Sequence, residues 1–297
     1  MKDESALPTG TFKARGAAVG VSRAKELGVD AVALPTNGNA GAAWAAYSAR
    51  AGIQSLVVMP EDAPAITRTE CAVSGADLRV VEGVISDAGE VVAREVAEGS
   101  WFDAGTFHEP YRLEGKKTMG FEICEQLEWR MPDVIICPTG GGVGLVGIYK
   151  AFEELLALGW IEGPMPRFVA VQSAGCAPLV KAWRARKDRA EFWRGAWTLA
   201  YGINVPKPFA DALILEILYA TAGCAISVED EDIRDDIYKI GRQEGCFVCP
   251  EGAATLTAAR ELRDSGWIKE DELVVLLNTG AGLKYPTAVE SFTPSHS

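Results

Sequence analysis

The sequence predicts an α/β fold in which parallel sheets carry helices on both faces. Short apolar, β-branched segments alternate with helical segments from near the first residue to near the last, and each strand-like segment is bounded by Gly, Pro, Ser or Asp. The chain has 297 residues, of which 48% are hydrophobic and 24% charged, which is a globular composition. This length suits one large or two modest domains. Regular alternation favours parallel sheets because two parallel strands need a long crossover between them.

Six short apolar, β-branched segments are predicted to be strands, namely residues 31–34, 55–59, 77–81, 133–137, 168–172 and 273–277. Segments with helical spacing lie between them, at residues 17–27, 40–51, 85–97, 118–128, 145–158, 231–244 and 253–265. The chain leaves one αβ series and starts another near residues 110–115, so two interleaved αβ units with a cleft between them fit the length. Residues 183–197, rich in Trp, Arg and Lys, predict an irregular surface excursion or a helix pair.

Charge and hydropathy narrow the class of partner. The chain carries 29 Lys and Arg against 41 Asp and Glu, a formal net charge of −12. Such a surface repels nucleic-acid phosphates and anionic lipid, so neither nucleic acid nor membrane is an expected partner. No apolar segment approaches the roughly 20 residues of a bilayer span, and no signal peptide opens the sequence. We expect a cytoplasmic protein that acts on a small molecule.

The seven cysteines predict reduced thiols rather than a disulfide framework, because their number is odd and most lie in apolar segments. Cys246 and Cys249 have the spacing of a metal or redox pair. A structural zinc site would need further ligands that the sequence does not supply, so no metal is predicted.

A glycine-rich segment, Pro-Thr-Gly-Gly-Gly-Val-Gly at residues 138–144, follows an apolar strand and precedes a helix. Glycines let the backbone approach a ligand closely, and a helix start offers unpaired N–H groups to an anion. The glycines also satisfy the dinucleotide pattern, but that pattern requires an acidic residue at the end of the next strand, where Gln172 stands. The segment therefore favours a phosphate site, with a simple tight turn as the alternative.

Three further segments could carry chemistry. Residues 35–41 place small polar side chains at a helix start, which suits a carboxylate or a polar ring substituent, although an N-capped helix would look the same. Lys13 stands between Phe12 and Ala14 at a helix start, where desolvation would lower the pKa of its amine and make it a nucleophile. Thr279 follows the last strand, at the strand end where open α/β sheets bind ligands.

Together, in this order, these segments resemble the fold-type II pyridoxal-phosphate (PLP) enzymes, the tryptophan synthase β-like group. Pro-Thr-Gly-Thr-Phe-Lys at residues 8–13, Gly-Asn-Ala-Gly at 38–41, the glycine-rich segment and Thr-Gly-Ala-Gly-Leu-Lys at 279–284 carry the resemblance. Within that group the threonine synthases are most similar, through residues 110–122 and Pro-Glu-Gly-Ala-Ala at 250–254. The resemblance covers residues 2–285.

The resemblance implies a role for each matching residue. Lys13 matches the lysine that binds PLP covalently, Asn39 the residue at the ring hydroxyl, and Thr279 the hydroxyl that faces the pyridine nitrogen. The cofactor phosphate is assigned to Gly140, Gly141, Gly142, Val143 and Gly144. The substrate carboxylate is assigned to Thr36, Asn37, Gly38 and Ala40, and the substrate phosphate to Arg112, Lys116 and Thr118.

The resemblance also implies an architecture and a reaction. We expect two interleaved three-layer αβα domains with parallel sheets, a larger PLP-binding domain of residues 1–18 and 119–297 and a smaller domain of residues 19–118, in a homodimer. The implied reaction converts O-phosphohomoserine and water to L-threonine and phosphate. Threonine or serine ammonia-lyases and cysteate-forming homologues share the same cofactor machinery and remain alternatives.

One departure from the family concerns the first residues. In family members several tens of residues precede the segment that resembles Lys2-Asp3-Glu4-Ser5, whereas here only Met1 does. The sequence therefore also allows a truncated, non-catalytic PLP-binding protein. In addition, His108 and Glu109 stand where many threonine synthases have small polar residues, and a hydrogen-bonded structural histidine is expected there.

Overall fold

The computed structural model describes residues 1–99 and 101–289. Its strands are β1 (Lys2–Asp3), β2 (Ala31–Pro35), β3 (Gln54–Pro60), β4 (Asp77–Val81), β5 (Phe102–Asp103), β6 (Val134–Pro138), β7 (Arg167–Ser173), β8 (Cys224–Val228) and β9 (Val274–Asn278). Its α-helices are α1 (Lys13–Glu26), α2 (Asn39–Ala51), α3 (Ala65–Val73), α4 (Ile85–Ala97), α5 (Tyr111–Gln126), α6 (Val143–Ala157), α7 (Pro178–Arg184), α8 (Asp211–Ala220), α9 (Asp230–Glu244) and α10 (Pro250–Asp264).

The strands form two sheets, each parallel throughout. The larger sheet has the order β1-β9-β6-β7-β8, and the smaller has the order β4-β3-β2-β5. The prediction of a parallel α/β fold is confirmed. The division into domains at residues 18 and 118 stays a prediction.

The larger sheet is buried on both faces, which explains the continuous apolar strand β6. Ile135 and Cys137 pack into one core with α5, α6 and α8, whereas Val134 and Ile136 pack into another with α9 and α10. This alternation follows from the two-residue period of a strand, which sends successive side chains to opposite faces. A sheet between two helical layers is the predicted three-layer arrangement.

The smaller sheet repeats this design. Val32 packs with Trp44 in a core formed with α1 and α2, whereas Ala33 packs with Ala88 and Val92 of α4 on the other face. Both sheets end at Pro residues or polar loops, and the loops after β2, β6 and β9 line a common cavity.

Several elements differ from the sequence-based expectation. All six predicted strands are present, but β1, β5 and β8 and the helices α3, α7 and α8 were not predicted. Helix α5 begins at Tyr111 rather than at residue 118, and its first turns bury two charged residues, Arg112 and Lys116. After α7 the chain is irregular as far as residue 200, in agreement with a surface excursion.

All seven cysteines are free, six of them buried and Cys246 half-buried. Within the described ranges no helix is both long and apolar enough to cross a bilayer.

Candidate active site

A cavity of about 780 Å³ lies where the loops after β2, β6 and β9 meet the start of α1. This volume lies within the range of small-molecule and cofactor sites. The position follows the rule for open α/β sheets, whose ligands bind beyond the carboxyl ends of the strands.

Lys13 is the first residue of α1 and lines this cavity. The preceding segment is fastened to the loop after β9, since the Phe12 amide donates to the Thr279 carbonyl at 2.9 Å and the Ala281 amide donates to the Gly10 carbonyl at 2.9 Å. Burial, reinforced by the nearby Arg112 charge and opposed by a buried carboxylate, lowers the pKa of Lys13 to about 8. The amine therefore reaches its nucleophilic, uncharged form close to neutral pH.

The glycine loop, residues 139–144, connects β6 to α6 and borders the cavity. Gly142 is the N-cap of α6 and has φ +92°, a conformation that favours glycine, and a Cβ there would lie 2.3 Å from Ile214 Cδ1. At Gly141, by contrast, the nearest described atom to an added Cβ is Thr106 Cγ2 at 3.9 Å. Gly142 is thus fixed by packing against α8, whereas Gly141 faces open space.

The loop after β2 supplies the start of α2. The Thr36 hydroxyl accepts hydrogen bonds from the Gly38 amide at 2.9 Å and the Gly41 amide at 3.2 Å, so it fastens this loop to its own helix. Asn37 donates through Nδ2 to the Asn204 carbonyl at 3.3 Å. Thr36, Asn37, Gly38, Asn39 and Ala40 all line the cavity.

Asn39 has one polar atom in use and one free. Its Nδ2 donates to the Tyr285 hydroxyl at 2.6 Å. Its Oδ1 is buried and has no hydrogen-bond partner among the residues that the structure describes. A buried polar atom without a partner is costly, so this oxygen is suited to a ligand.

Thr279 lies at the carboxyl end of β9, with its hydroxyl 3.6 Å from Cys249 Sγ. Its carbonyl holds the Phe12 amide, so the threonine and Lys13 are positioned by one short piece of backbone. The hydroxyl is neutral, unlike a carboxylate in the same place.

Arg112 and Lys116, the cationic pair, both line the cavity from α5. Arg112 is buried, donates through Nη1 to Thr106 Oγ1 at 2.9 Å and through Nη2 to the Ala104 carbonyl, and lies 3.6 Å from the Glu109 carboxylate. Its Nε has no hydrogen-bond partner within the described ranges. Burial lowers the pKa of Arg112 to about 10, which leaves it charged at neutral pH.

Lys116 is almost completely buried, and its Nζ donates to the Phe12 carbonyl. Burial and the charges of Lys13 and Arg112 hold the pKa of Lys116 well below its usual value. Thr118 does not line the cavity. Its hydroxyl accepts a hydrogen bond from Arg15 Nη1 at 2.9 Å. The structure therefore separates Thr118 from Arg112 and Lys116, the other two residues assigned to the substrate phosphate.

Two buried residues of this cavity had no assigned role in the sequence. Glu251 and Tyr285 are 3% and 7% exposed, and both line the cavity wall beside Thr279. The Pro-Glu-Gly-Ala-Ala segment drew attention to Glu251, but only burial in the folded chain distinguishes it from a surface helix residue. His108, at 50% exposure, pairs with Asp103 at 2.7 Å near the cavity mouth.

Comparison with known proteins gives the family. A family model described as pyridoxal-phosphate dependent enzyme matches residues 1–280. The chain belongs to this family. Threonine synthase of Methanocaldococcus jannaschii is 37% identical over 289 residues, which cover 97% of this chain and 71% of that protein. Threonine synthase of Mycobacterium bovis is 32% identical over 298 residues, which cover 100% and 80%.

Solved structures with this fold include other members of the PLP-dependent family. Maize serine racemase has a TM-score of 0.80 at 22% identity, covering 94% of this chain and 82% of that one. Threonine deaminase isoform 2 of Solanum lycopersicum has a TM-score of 0.80 at 20% identity, covering 97% and 81%. At such identities these likenesses bear on the fold alone, which is that of the fold-type II PLP enzymes.

The residues of the cavity fit the cofactor of this PLP-dependent family. A phosphate can enter the open space at Gly141, next to the helix start that favours anions. The unpartnered Asn39 Oδ1 is available to a ring substituent, and the Lys13 amine has a lowered pKa. The phosphate, a ring substituent and the aldehyde carbon of PLP would thus each have a candidate partner, in the Gly141 loop, Asn39 Oδ1 and the Lys13 amine respectively.

Proposed function

We propose that this PLP-dependent enzyme is a threonine synthase, which converts O-phosphohomoserine and water to L-threonine and phosphate. The observation that carries the proposal is a buried, charged guanidinium in the same cavity as a lysine of lowered pKa. The chain has a net charge of −12, so a dianionic substrate needs such a fixed cation to enter the site. The threonine synthases of Methanocaldococcus jannaschii and Mycobacterium bovis, at 37% and 32% identity, support the same conclusion.

In this proposal Lys13 binds PLP, the glycine loop holds its phosphate, Asn39 contacts its ring hydroxyl and Thr279 faces its ring nitrogen. When bound, PLP supplies the electron sink that makes protons on Cα and Cβ of an amino acid removable. The neutral Thr279 hydroxyl provides little stabilisation for a protonated ring, so this sink is more modest than one with a carboxylate partner.

Lys13 is also the proposed proton-transfer group. Its pKa of about 8 lies close to the pH at which a general base works best, so the amine can take a proton from Cα and deliver or remove one at Cβ. The loop of Thr36, Asn37, Gly38 and Ala40 is proposed to hold the substrate carboxylate through the helix start of α2.

Arg112 and Lys116 are proposed to receive the leaving phosphate. The Arg112 Nε makes no hydrogen bond among the described residues and lies 3.6 Å from Glu109 Oε1, so it keeps a hydrogen available for a phosphate oxygen. Lys116 can exchange its bond to the Phe12 carbonyl for one to a phosphate oxygen. Water then adds at Cβ after phosphate departs.

The test is a substrate panel. The purified protein is supplied with PLP and with O-phosphohomoserine, threonine or serine, and release of phosphate, threonine and ammonia is measured. The proposal expects equal amounts of phosphate and threonine from O-phosphohomoserine. Rapid ammonia release from threonine or serine without phosphate release would contradict it and favour an ammonia-lyase, and PLP binding without any turnover would favour a non-catalytic protein.

On the family resemblance we also propose that the protein is a homodimer of the cytoplasm. Sedimentation of the purified protein tests the first part, and a monomer at micromolar concentration would contradict it.

A further inference from the structure

One short segment connects the smaller sheet to the glycine loop. This bridging segment consists of residues 201–204, of which Tyr201, Gly202 and Ile203 line the cavity. Tyr201 packs against the core between the larger sheet and helices α9 and α10, and also against the core that the smaller sheet forms with α1 and α2. The segment is therefore in contact with the hydrophobic cores of both sheets.

Two hydrogen bonds attach the bridging segment to the smaller sheet. The Tyr201 hydroxyl donates to Asp62 Oδ1 at 2.6 Å, just beyond the end of β3. Asn37, in the loop after β2, donates through Nδ2 to the Asn204 carbonyl at 3.3 Å. Because β2 and β3 are neighbours in the sheet, the two bonds hold the same edge of it.

The bridging segment also meets the groups assigned to the cofactor. A Cβ added to Gly140, in the glycine loop, would lie 2.8 Å from the Gly202 carbonyl oxygen and 3.3 Å from Ile203 Cα. The Gly202 amide donates to Glu251 Oε1 at 2.6 Å, in the first turn of α10. The segment thus lies directly against the glycine loop while it is bonded to the loops after β2 and β3.

The spacing between these loops bears on substrate binding. In the proposed function the glycine loop holds the cofactor phosphate, and residues 36–40 hold the substrate carboxylate. An α-amino acid has its amine and its carboxylate on one carbon atom, so it can meet the cofactor and residues 36–40 together only at one spacing. A misplacement of about 1 Å can cost a reaction about a hundredfold in rate.

We propose that the bridging segment sets this spacing, with Tyr201 as a positioning residue for the carboxylate of an α-amino-acid substrate. This inference rests on the part of the proposed function in which residues 36–40 bind that carboxylate. The bond from Tyr201 to Asp62 can be removed without changing a cavity residue, because Asp62 is exposed and does not line the cavity.

The experiment titrates the PLP-loaded protein with L-alanine and follows the visible absorbance of bound PLP. L-Alanine has an amine and a carboxylate but no phosphate, so its binding does not draw on Arg112 or Lys116. Tyr201→Phe keeps the ring and loses the bond to Asp62, so the Kd for L-alanine should rise about fivefold, the contribution of one hydrogen bond. The Kd for PLP itself, from fluorescence titration, should stay at the parent value because the glycine loop keeps its contacts.

Tyr219→Phe is the matched control, since it removes a tyrosine hydroxyl outside the cavity. That hydroxyl donates to the Lys187 carbonyl at 2.7 Å, and Tyr219 does not line the cavity. Both dissociation constants should equal those of the parent.

The deciding step substitutes the other partner of the bond. Asp62→Ala should raise the Kd for L-alanine as much as Tyr201→Phe does, and the two changes together should raise it no further, since they remove the same bond. Asp62→Asn keeps an acceptor oxygen and should restore most of the affinity. Additive losses in the double variant, or no loss in either single variant, would overturn the proposal.

A loss of PLP affinity as large as the loss of L-alanine affinity would also overturn it, because Tyr201 would then support the cavity as a whole. Should Tyr201→Phe not fold, Asp62→Ala decides alone, and an unchanged Kd for L-alanine in that variant overturns the proposal.

These outcomes separate the inference from the function on which it rests. A parent protein that releases ammonia rather than phosphate overturns the threonine synthase proposal, while the L-alanine titration still decides the role of Tyr201. A PLP-loaded parent whose absorbance responds neither to L-alanine nor to O-phosphohomoserine overturns both.

Discussion

The two sets of ligand groups in the cavity differ in how much hydrogen-bonding capacity they leave free. Among the groups assigned to the cofactor, Gly141 faces open space and Asn39 Oδ1 has no partner among the described residues. In the cationic pair, by contrast, Arg112 donates to Thr106 and to a carbonyl, and Lys116 donates to a second carbonyl. The groups assigned to the cofactor therefore have free hydrogen-bonding capacity, whereas most donors of the cationic pair already bind other groups of the protein.

This difference implies that the cofactor and the substrate phosphate bind to groups in different states of readiness: the first set is unpaired, and the second already makes hydrogen bonds. A ligand that meets unpaired groups gains their hydrogen bonds without breaking others, and therefore binds to a preorganised site. A phosphate that meets Arg112 and Lys116 must exchange existing bonds, so the substrate class depends on rearrangement of this pair. The geometry thus supports PLP more directly than it supports any one substrate.

The largest expected effects come from substitutions of Lys13 and Lys116, two of the lysines that line the cavity. Lys13→Ala should abolish covalent PLP attachment and turnover while the fold stays intact, because the loop contacts remain. Lys116→Ala should keep covalent attachment and raise KM. Visible absorbance, circular dichroism and steady-state kinetics measure the three properties, and loss of attachment in Lys116→Ala alone would reverse the assignments.

Substitutions in the glycine loop should have the next largest effect, a loss of PLP affinity. Gly141→Val should weaken PLP binding tenfold or more, about 1.4 kcal/mol for each tenfold, because its side chain fills the open space. Gly142→Val should in addition lower the Tm, since its Cβ collides with Ile214 and its φ is positive. Fluorescence titration with PLP and thermal unfolding separate the two.

Gly241→Ala in α9 is the control for both glycine variants, because a Cβ there meets only Cys246 O at 3.9 Å. PLP affinity equal to the parent in Gly141→Val would reduce the loop to a simple turn.

The variant Arg112→Lys tests whether the cationic pair binds the substrate phosphate, because it keeps a positive charge but loses the planar donor group. KM for O-phosphohomoserine should rise about tenfold, the loss of one good charged hydrogen bond. Any side reaction with unphosphorylated threonine or serine should change less. Equal losses on the two kinds of substrate in steady-state assays would show that Arg112 supports structure rather than phosphate.

The smallest expected effect concerns pH and the stability of cofactor-free protein. Between about pH 8 and pH 10.5 the unfolded chain keeps the Lys13 proton that the folded chain has released. The free energy of unfolding should therefore rise with pH across this window, and Lys13→Met should lack that part of the rise. Urea unfolding of both proteins at several pH values measures it, and parallel profiles would contradict the lowered pKa.

Much of the fold could be predicted from local sequence. The predicted strands β2, β3 and β6 have continuous apolar segments because both of their faces are buried, whereas β4 is an edge strand whose residues are exposed or half-buried. The missed elements carry weaker signals: β1 and β5 have two residues each, too short for a period, and α8 is apolar almost all round. Helix α5 was predicted to start late because its buried Arg112 and Lys116 have the polarity of a loop.

The residues of the candidate site likewise fall into two groups, those that local sequence patterns predict and those that only the fold reveals. The glycine loop and Lys13 are local patterns, so sequence and resemblance together point to them. Glu251 and Tyr285 lie 34 positions apart in the sequence. They line the same cavity only because α10 and the segment after β9 meet in the fold. Similarly, Thr118 lies in the segment most like the threonine synthases, yet the turn of α5 directs it toward Arg15.

The central claim is that Lys13 is the amine to which PLP is bound, and it can be tested directly. The PLP-loaded protein is reduced with borohydride, digested, and its peptides mapped by mass spectrometry. We predict that the pyridoxyl label lies on Lys13, the cavity amine with a pKa of about 8. A label on Lys116 or Lys207, the other lysines that line the same cavity, or on any lysine outside it would contradict the account.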